Sequence, residues 1–304
     1  MYARLDDFVE EALKSGRKRV AVAAAANTLV LRSIKLAQDK GLIEPILVGP
    51  EYDIAEKARE AEIDLGSVRV VATETTTESA ARAVDLVREG EAEILMKGHL
   101  HTNDFLRAVL RAEVGLRTDR LLSHVFVMQI PMYHKLLVIT DAAINIAPDL
   151  MEKADILQNA IDMLRQMGID QPKAAVLSAI ETINPKIPST VDAACLHKMA
   201  ERNQIRGGIV DGPLGFDNAI SADAAREKGI QSAVAGDVDI VLAPDLDAGN
   251  ILYKNLVYLA NAQIAGLVMG ARAPIVLTSR ADTVEARLHS LALASLVCGP
   301  DAVC

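Results

Sequence analysis

The segment Pro274–Asp282 joins a short apolar run to side chains that suit phosphate chemistry. The run has the length and composition of a buried strand, and it is followed by Ser279, Arg280 and Asp282. The planar guanidinium of arginine matches phosphate oxygens, and a serine hydroxyl beside it adds a small donor or acceptor. In open α/β sheets ligands bind beyond the carboxyl ends of strands, so this junction is a candidate site. The alternative is an ordinary helix start capped by Ser279 or Asp282.

Two further segments place polar side chains at the end of an apolar run. In the first, a β-branched run stops at Asp211 and turns through glycine and proline into a helical pattern. In the second, Pro244 stops a strand, and Asn250 or Asp247 is predicted to cap the helix that follows. The apolar-periodic stretch 251–269 is interpreted as that helix. Three such junctions indicate several polar loops gathered on one edge of a sheet.

These segments resemble motifs of the phosphate acetyltransferase and phosphate butyryltransferase family. The motifs occur in the family's order from about residue 90 to the end, as MKGHLHTNDFLRAVL (96–110), LVITDAAINIAPDL (137–150), DGPLGFDNAIS (211–221), PDLDAGNILYK (244–254) and PIVLTSRAD (274–282). The resemblance implies acyl transfer between coenzyme A and inorganic phosphate. It also implies two α/β domains with mainly parallel sheets and an interdomain active-site cleft, as in isocitrate and isopropylmalate dehydrogenases.

The family's Ser-Arg pair implies roles for two residues of the last motif. Arg280 is expected to bind phosphate or the acyl phosphate, and the alternative for it is a surface ion pair. Ser279 is expected to hydrogen-bond the developing thiolate or the tetrahedral intermediate during direct transfer in a ternary complex. Because a thioester is already activated, positioning and electrostatics supply most of the effect. No metal and no cofactor are expected, and the coenzyme A thioester enters as a substrate.

The strand-to-helix junction in the motif at 96–110 supplies further candidates. Backbone amides at the helix start are expected to bind an anion, with His101 and Thr102 at the site and a cap from Thr102 onward. Arg107 lies where the family carries an arginine thought to contact substrate, and a solvated helix face accounts for it equally well. His99 and His101 alternate, but two histidines without an acid or cysteine at ligand spacing are more typical of structural roles.

Acidic and amide side chains at the other predicted strand ends are given indirect roles. Asp211, Asp245 and Asn250 are expected to orient arginine side chains or bind polar groups of coenzyme A, because acids beside a phosphate would repel it. Asp141 and Asn145 match another family motif, and a plain turn after a strand accounts for them equally well.

Two departures from the family pattern bear on mechanism and substrate. Many phosphate acetyltransferases carry an Asp seven positions after the motif serine, suggested as the base for the coenzyme A thiol, and here that position is Ala286. The electrostatic surroundings are then expected to favour the thiolate. The segment 177–188 resembles the butyryl-type branch more than the acetyl-type branch, which favours butyryl or another short acyl chain.

Composition excludes several classes of function. The net charge of −9 argues against a general nucleic-acid binder, which needs clustered lysine and arginine. Hydrophobic residues make up 51% and aromatics only 3%, which suits buried parallel strands under helices with small faces. The apolar stretches are too interrupted to span a bilayer, and three cysteines without framework spacing favour a reducing compartment, so a cytoplasmic protein is expected. A homodimer is implied by the family resemblance only.

The order of predicted elements divides the 304 residues into two domains. Strands and helices alternate up to about residue 97, which indicates right-handed parallel crossovers. Strands at 123–129 and 135–140 are joined by five residues and must therefore be antiparallel. The predicted domains are 1–120 with 272–304, and 121–271. The return of the last strand and helix to the first domain is implied by the family resemblance alone.

Two other functions fit the predicted layout. A two-domain hydroxy-acid dehydrogenase would need a nucleotide site, but the first predicted strand ends in Ala24-Ala25-Ala26-Asn27 instead of G-x-G-x-x-G. A non-catalytic ligand-binding protein is the second alternative, and it would tolerate loss of Arg280 without loss of any chemistry.

Overall fold

The computed structural model describes residues 2–279 and 282–298. In this part of the chain the strands are β1 Lys18–Ala23, β2 Ile43–Gly49, β3 Arg69–Ala72, β4 Ile94–Lys97, β5 Ser123–Gln129, β6 Leu137–Thr140, β7 Lys173–Leu177, β8 Ile209–Leu214, β9 Ile240–Leu242, β10 Gln263–Met269 and β11 Ile275–Val276. The helices are α1 Asp6–Ala12, α2 Thr28–Asp39, α3 Glu51–Glu60, α4 Thr76–Arg88, α5 Thr102–Val109, α6 Leu150–Gln166, α7 Pro188–Glu201, α8 Phe216–Ile220, α9 Ala222–Glu227, α10 Leu246–Tyr258 and α11 Val284–Val297.

The chain forms two compact units, each with an α/β fold. The first unit contains Asp6–Arg120 and the described residues from Ala265 onward. Its strands lie in the order β3-β2-β1-β4-β11-β10. The pairs from β3 to β11 are parallel, and β10 runs antiparallel to β11. β4 is buried along its whole length, as expected for a strand covered on both faces.

The second unit contains Leu121–Ile264 and the described residues up to Leu5. Its strands lie in the order β5-β6-β9-β7-β8, in which β5 and β6 are antiparallel and the other pairs are parallel. The predicted antiparallel hairpin is therefore confirmed. Apolar strands β6 and β9 are buried throughout, so the core lies between the sheet and its helices.

Local chemistry explains where several helices begin. Asn27 caps α2 by accepting the backbone N–H groups of Leu29 and Val30 at 3.1 Å each. Asp149 and Glu152 form a reciprocal capping box at the start of α6.

The structure draws the boundary between the units differently from the sequence at two places. Residues 265–271 belong to the first unit, because β10 pairs with β11 through Val268 and Ile275. The described residues before Asp6 belong to the second unit, where the Leu5 N–H donates to the Gln129 side chain at 2.9 Å. The interdomain cleft and the likeness to isocitrate and isopropylmalate dehydrogenases stay predictions.

Three predicted elements need correction. The strand predicted to stop at Asp211 continues to Leu214, because Leu214 still pairs with Leu177 of β7. The stretch predicted as one helix to Met269 is α10 followed by β10, because periodicity alone does not assign a short apolar run such as that of β10 to a helix or a strand. The helix after the Ser-Arg motif begins at Val284 and is capped by Thr283, not by Ser279 or Asp282.

No helix in the described residues is long and apolar enough to cross a membrane.

Candidate active site

The carboxyl ends of three neighbouring strands in the first unit surround one cavity. β1, β4 and β11 are adjacent and parallel, so their carboxyl ends lie at the same edge of the sheet. Residues from the loop after each strand and from α11 line a cavity of about 100 Å³, and its polar members are Asn27, Lys97, His99, Thr278, Ser279 and Arg287. This is the place at which open α/β sheets bind ligands.

The loop after β4 is held tightly against the end of β1. The N–H of Gly98 donates to the Ala23 carbonyl, and the N–H of His99 donates to the Ala24 carbonyl, both at 2.8 Å. A Cβ at residue 98 would lie 2.4 Å from the Ala24 oxygen, so only glycine permits this approach. The close contact brings the cavity-lining loops of β1 and β4 together.

The first turn of α2 also borders the cavity. Leu29 and Val30 line it, and Asn27 holds their backbone through its Oδ1. The Nδ2 of Asn27 lies 3.5 Å from Nδ1 of His99. The amino terminus of this twelve-residue helix adds partial positive charge at its edge.

Two buried cations give the cavity its charge. Lys97 and Arg287 are each 4% exposed. Burial lowers the pKa of the Arg287 guanidinium, and the nearby carboxylate of Asp282 partly restores it. Burial raises the pKa of Asp282, although the Ser279 N–H, Arg287 and Lys97 act in the opposite direction. Two cations and one carboxylate among the described residues leave this region positive.

The backbone of Ser279 is held on both sides. Its N–H donates to Oδ2 of Asp282 at 2.6 Å, and its carbonyl accepts from Nη2 of Arg287 at 2.9 Å. The residue itself is exposed. Ser279 therefore presents its side chain from a fixed backbone position, as a positioned catalytic group requires.

Two polar atoms of the cavity residues are buried without a hydrogen bond among the described residues. They are Oγ1 of Thr278 and Nε of Arg287. Buried polar atoms in folded proteins nearly always have partners, so orphans that line a cavity point to a ligand.

The raised pKa of Asp282 predicts that the free energy of unfolding depends on pH. A carboxyl whose pKa is higher in the folded than in the unfolded chain adds stability below the unfolded pKa of about 3.9, and that stability is lost as the pH rises through the folded pKa. We therefore expect the free energy of unfolding of Asp282→Asn to increase relative to that of wild type as the pH rises above about 4. Urea unfolding at several pH values measures this difference, and a difference that is flat with pH contradicts it.

Of the other predicted site residues of the first unit, those that the structure describes do not line this cavity. Arg280 lies outside the described residues. His101 occupies the N-cap position of α5 without a side-chain capping bond, and Thr102 is the first helical residue, so the predicted cap at Thr102 is wrong. Neither lines the cavity. Arg107 is exposed and lies 3.4 Å from Asp104 on the same helix, which is the arrangement of a solvated helix face.

The predicted site residues of the second unit contact other residues of the same unit. Asp211 lies within β8, not at its end, and its Oδ1 is 3.5 Å from Nδ1 of His197. Asp245, not Asn250 or Asp247, caps α10 by accepting the Ala248 N–H at 2.9 Å. Asn250 donates to the Ala142 carbonyl at 2.9 Å. Their proposed roles toward arginine or coenzyme A stay predictions.

The motif after β6 forms a turn built around one carboxylate. Oδ1 of Asp141 accepts the N–H groups of Ala143 at 2.7 Å and Ile144 at 3.0 Å. Oδ2 accepts the side-chain amide of Asn145 at 2.6 Å. These contacts favour the turn interpretation for both motif residues.

Sequence reasoning did not single out Lys97, Thr278 or Arg287. Lys97 ends β4, and the strand-end rule that selected Ser279 applies to it equally. Arg287 lies in α11, which is buried nearly all round. An arginine inside such a helix is itself a signal, because arginine is rarely buried unless it is paired.

In the described residues no group of three or more His, Cys, Asp or Glu is arranged to hold a metal ion. The expectation that the reaction uses no metal stays a prediction.

Comparison with known proteins gives a consistent result. A family model described as "Phosphate acetyl/butaryl transferase" matches residues 5–81 and 71–295. A phosphate acetyltransferase of Rhizobium meliloti is 56% identical over 260 residues, which are 86% of this chain and 82% of that protein. A phosphate butyryltransferase of Clostridium acetobutylicum is 42% identical over 299 residues, 98% of this chain and 99% of that protein.

A solved structure agrees with these relatives. The crystal structure of a branched-chain phosphotransacylase from Enterococcus faecalis V583 matches with a TM-score of 0.81 at 33% identity, and the match covers 92% of this chain and 98% of that one.

Proposed function

Because the chain belongs to the phosphate acetyl/butyryltransferase family, we propose that it transfers a short acyl group reversibly between coenzyme A and inorganic phosphate. The product on phosphate is an acyl phosphate. The dehydrogenase and the non-catalytic binding protein are not favoured, because named relatives and a solved neighbour are acyltransferases of this kind.

The observation that carries this proposal is the positive cavity beside Ser279 in the first unit. Buried Lys97 and Arg287 suit a phosphate anion, and Ser279 borders the same cavity on a fixed backbone. Proximity and electrostatic stabilisation lower the barrier to attack of a bound phosphate on an activated thioester, so few further catalytic groups are required.

Direct transfer assigns one step to each group. An oxygen of phosphate forms a bond to the thioester carbonyl carbon, the carbon–sulfur bond breaks, and its electron pair leaves on sulfur as the thiolate, which then takes a proton. The Ser279 hydroxyl donates to the charge that develops on sulfur or on the carbonyl oxygen. Arg280 binds the phosphate or the acyl phosphate.

We propose that nearby positive charge stabilises the coenzyme A thiolate. The carboxylate that many phosphate acetyltransferases carry seven positions after the motif serine is replaced here by Ala286. Ala286 is 8% exposed, and its N–H donates to the Thr283 hydroxyl at 3.1 Å. Asp282 already accepts the Ser279 N–H. Positive charge near a thiol lowers its pKa, which is the effect required in the direction of acyl phosphate use.

Butyryl or another short acyl chain is the proposed substrate class. The relatives include an acetyltransferase at 56% identity and a butyryltransferase at 42%, while the segment 177–188 favours the butyryl type. A methylene in an apolar pocket discriminates by about 1–3 kcal/mol, so turnover of several chain lengths is expected. Measurement of kcat/KM for acetyl-, propionyl-, butyryl- and isobutyryl-coenzyme A shows which acyl chain the enzyme prefers.

The test of the proposed function is release of coenzyme A thiol. Purified protein with butyryl- or acetyl-coenzyme A should release thiol only when phosphate is added, with stoichiometric formation of acyl phosphate. Thiol release that ignores phosphate would indicate a hydrolase and overturn the proposal. An assay with a metal chelator tests the expected independence from metal, and retained turnover supports it.

Two further expectations stay predictions. A homodimer is expected from the family, and sedimentation equilibrium of the purified protein tests it. A cytoplasmic location is expected from the composition, and cell fractionation tests it.

A further inference from the structure

Two buried polar atoms in the cavity of the first unit need partners from outside the described chain. Thr278 is 5% exposed and Arg287 4% exposed, and Oγ1 of the first and Nε of the second have no hydrogen bond among the described residues. Both residues line the same cavity. A buried donor without a partner destabilises the folded chain, so the arrangement is explained if a ligand completes it.

The donor and charge pattern selects an anion with several oxygen atoms. Arginine only donates, and a threonine hydroxyl beside it can donate as well, so the ligand must offer acceptors. Lys97 lines the same cavity, and Nη2 of Arg287 is engaged with the Ser279 carbonyl. That bond fixes the plane of the guanidinium, which leaves the direction of its Nε–H defined.

The size of the cavity selects a small anion. Its volume is about 100 Å³, equal to the space of roughly three liquid waters. This space is sufficient for one phosphate group. The backbone contacts of Ser279 place that residue directly beside the cavity.

We propose that Thr278 and Arg287 bind the reacting inorganic phosphate through Oγ1 and Nε, beside the buried ammonium of Lys97. The assignment rests on the proposed function and adds to it two phosphate-binding residues outside the Ser-Arg pair. It gives Arg287 two tasks, since the same guanidinium holds the Ser279 carbonyl and donates to phosphate.

Thr278→Val is the decisive substitution, because valine keeps the shape of threonine and removes the hydroxyl. We expect the KM for inorganic phosphate to rise about tenfold, the size of one lost hydrogen bond to a charged group. The KM for acyl-coenzyme A should stay within about twofold, and the Tm without phosphate should stay equal or rise, because an unpartnered buried hydroxyl is removed. Calorimetric titration with inorganic phosphate alone gives a second readout, in which the variant should bind at least about tenfold more weakly.

Arg287→Lys is the second variant, because lysine keeps the charge and loses the fixed Nε–H. We expect a higher KM for phosphate together with a lower kcat, since the contact with the Ser279 carbonyl is also lost. A matched arginine control is Arg111→Lys, whose guanidinium contacts Asp85 at 3.0 Å and does not line the cavity.

A matched threonine control is Thr73→Val. Thr73 is buried in the same unit, but its hydroxyl lies 2.7 Å from Oγ of Ser79. This control should lower the Tm and leave the KM for phosphate unchanged, which is the opposite pattern from Thr278→Val.

The outcomes separate the two proposals. In one outcome, the wild-type protein shows phosphate-dependent turnover, and both Thr278→Val and Arg287→Lys keep the wild-type KM for phosphate. That outcome would overturn the assignment of Thr278 and Arg287 but not the proposed function. A rise in the KM for acyl-coenzyme A instead would place a phosphate group of coenzyme A in the cavity and also overturn it. If wild type shows no phosphate-dependent turnover, the proposed function fails, and calorimetric phosphate binding that is lost in Thr278→Val would still support the site.

Discussion

Substitution of Ser279 by alanine should reduce kcat about 100- to 1000-fold, equal to about 2.7–4 kcal/mol. This is the cost of removing one preorganised donor to a developing negative charge. The backbone of Ser279 is held by Asp282 and Arg287 independently of its hydroxyl, so the alanine variant should keep the same local geometry. Steady-state kinetics with saturating acyl-coenzyme A and phosphate measure the loss.

Ser67→Ala is a matched control for this measurement. Ser67 is also exposed in the first unit and does not line the cavity of Ser279. Its substitution should leave kcat and both KM values unchanged. A loss of less than about tenfold for Ser279→Ala would remove the hydroxyl from the mechanism, since the expected effect is a hundredfold or more. An equal Tm for wild type and Ser279→Ala shows that the loss comes from chemistry and not from unfolding.

Asp141→Asn should lower the free energy of unfolding by about 3 kcal/mol, a large effect for one substitution. Asp141 is 3% exposed. Besides Ala143 and Ile144, it accepts the N–H groups of Asn145 and His124 at 3.3 Å and the Asn145 side chain at 2.6 Å. Asparagine replaces one acceptor oxygen by an NH₂ group that faces these donors, and it removes the charge that strengthens the bonds. Urea unfolding at neutral pH measures the change.

Asp155→Asn provides the comparison for Asp141→Asn. Asp155 is half-buried in α6, and its Oδ2 accepts the Leu121 N–H at 3.1 Å. A single such bond predicts a loss of about 1 kcal/mol. Equal losses for the two substitutions would show that the Asp141 carboxylate does not organise the turn after β6.

Local sequence was sufficient to predict the strand ends that carry the first-unit site. Short apolar runs end at Lys97 and before Thr278, and a buried strand is recognisable from such a run because burial on both faces excludes polar residues. The hairpin of β5 and β6 was predictable for a different reason: the link between them, five residues in the prediction and seven in the structure, is too short for a parallel crossover. Family motifs then supplied the chemistry, and the comparisons agree with it.

Pairing between distant segments decided what the sequence did not show. The end of β8 at Leu214 depends on its partner Leu177, and the separation of β10 from α10 depends on pairing with β11. Neither pairing leaves a mark in the local pattern, because a short apolar run does not by itself show where a strand begins or ends.

The sequence by itself determined that a hydroxyl and charged groups follow a buried strand near residue 279. Only the tertiary structure decided that Lys97 and Arg287 share a cavity with Ser279, because β4 and β11 become neighbours through a pairing of segments some 180 residues apart. It also decided that Arg287 is buried and that its Nε has no hydrogen-bond partner among the residues the structure describes. Burial is a property of what packs around α11, and nothing in the residues adjacent to Arg287 specifies it.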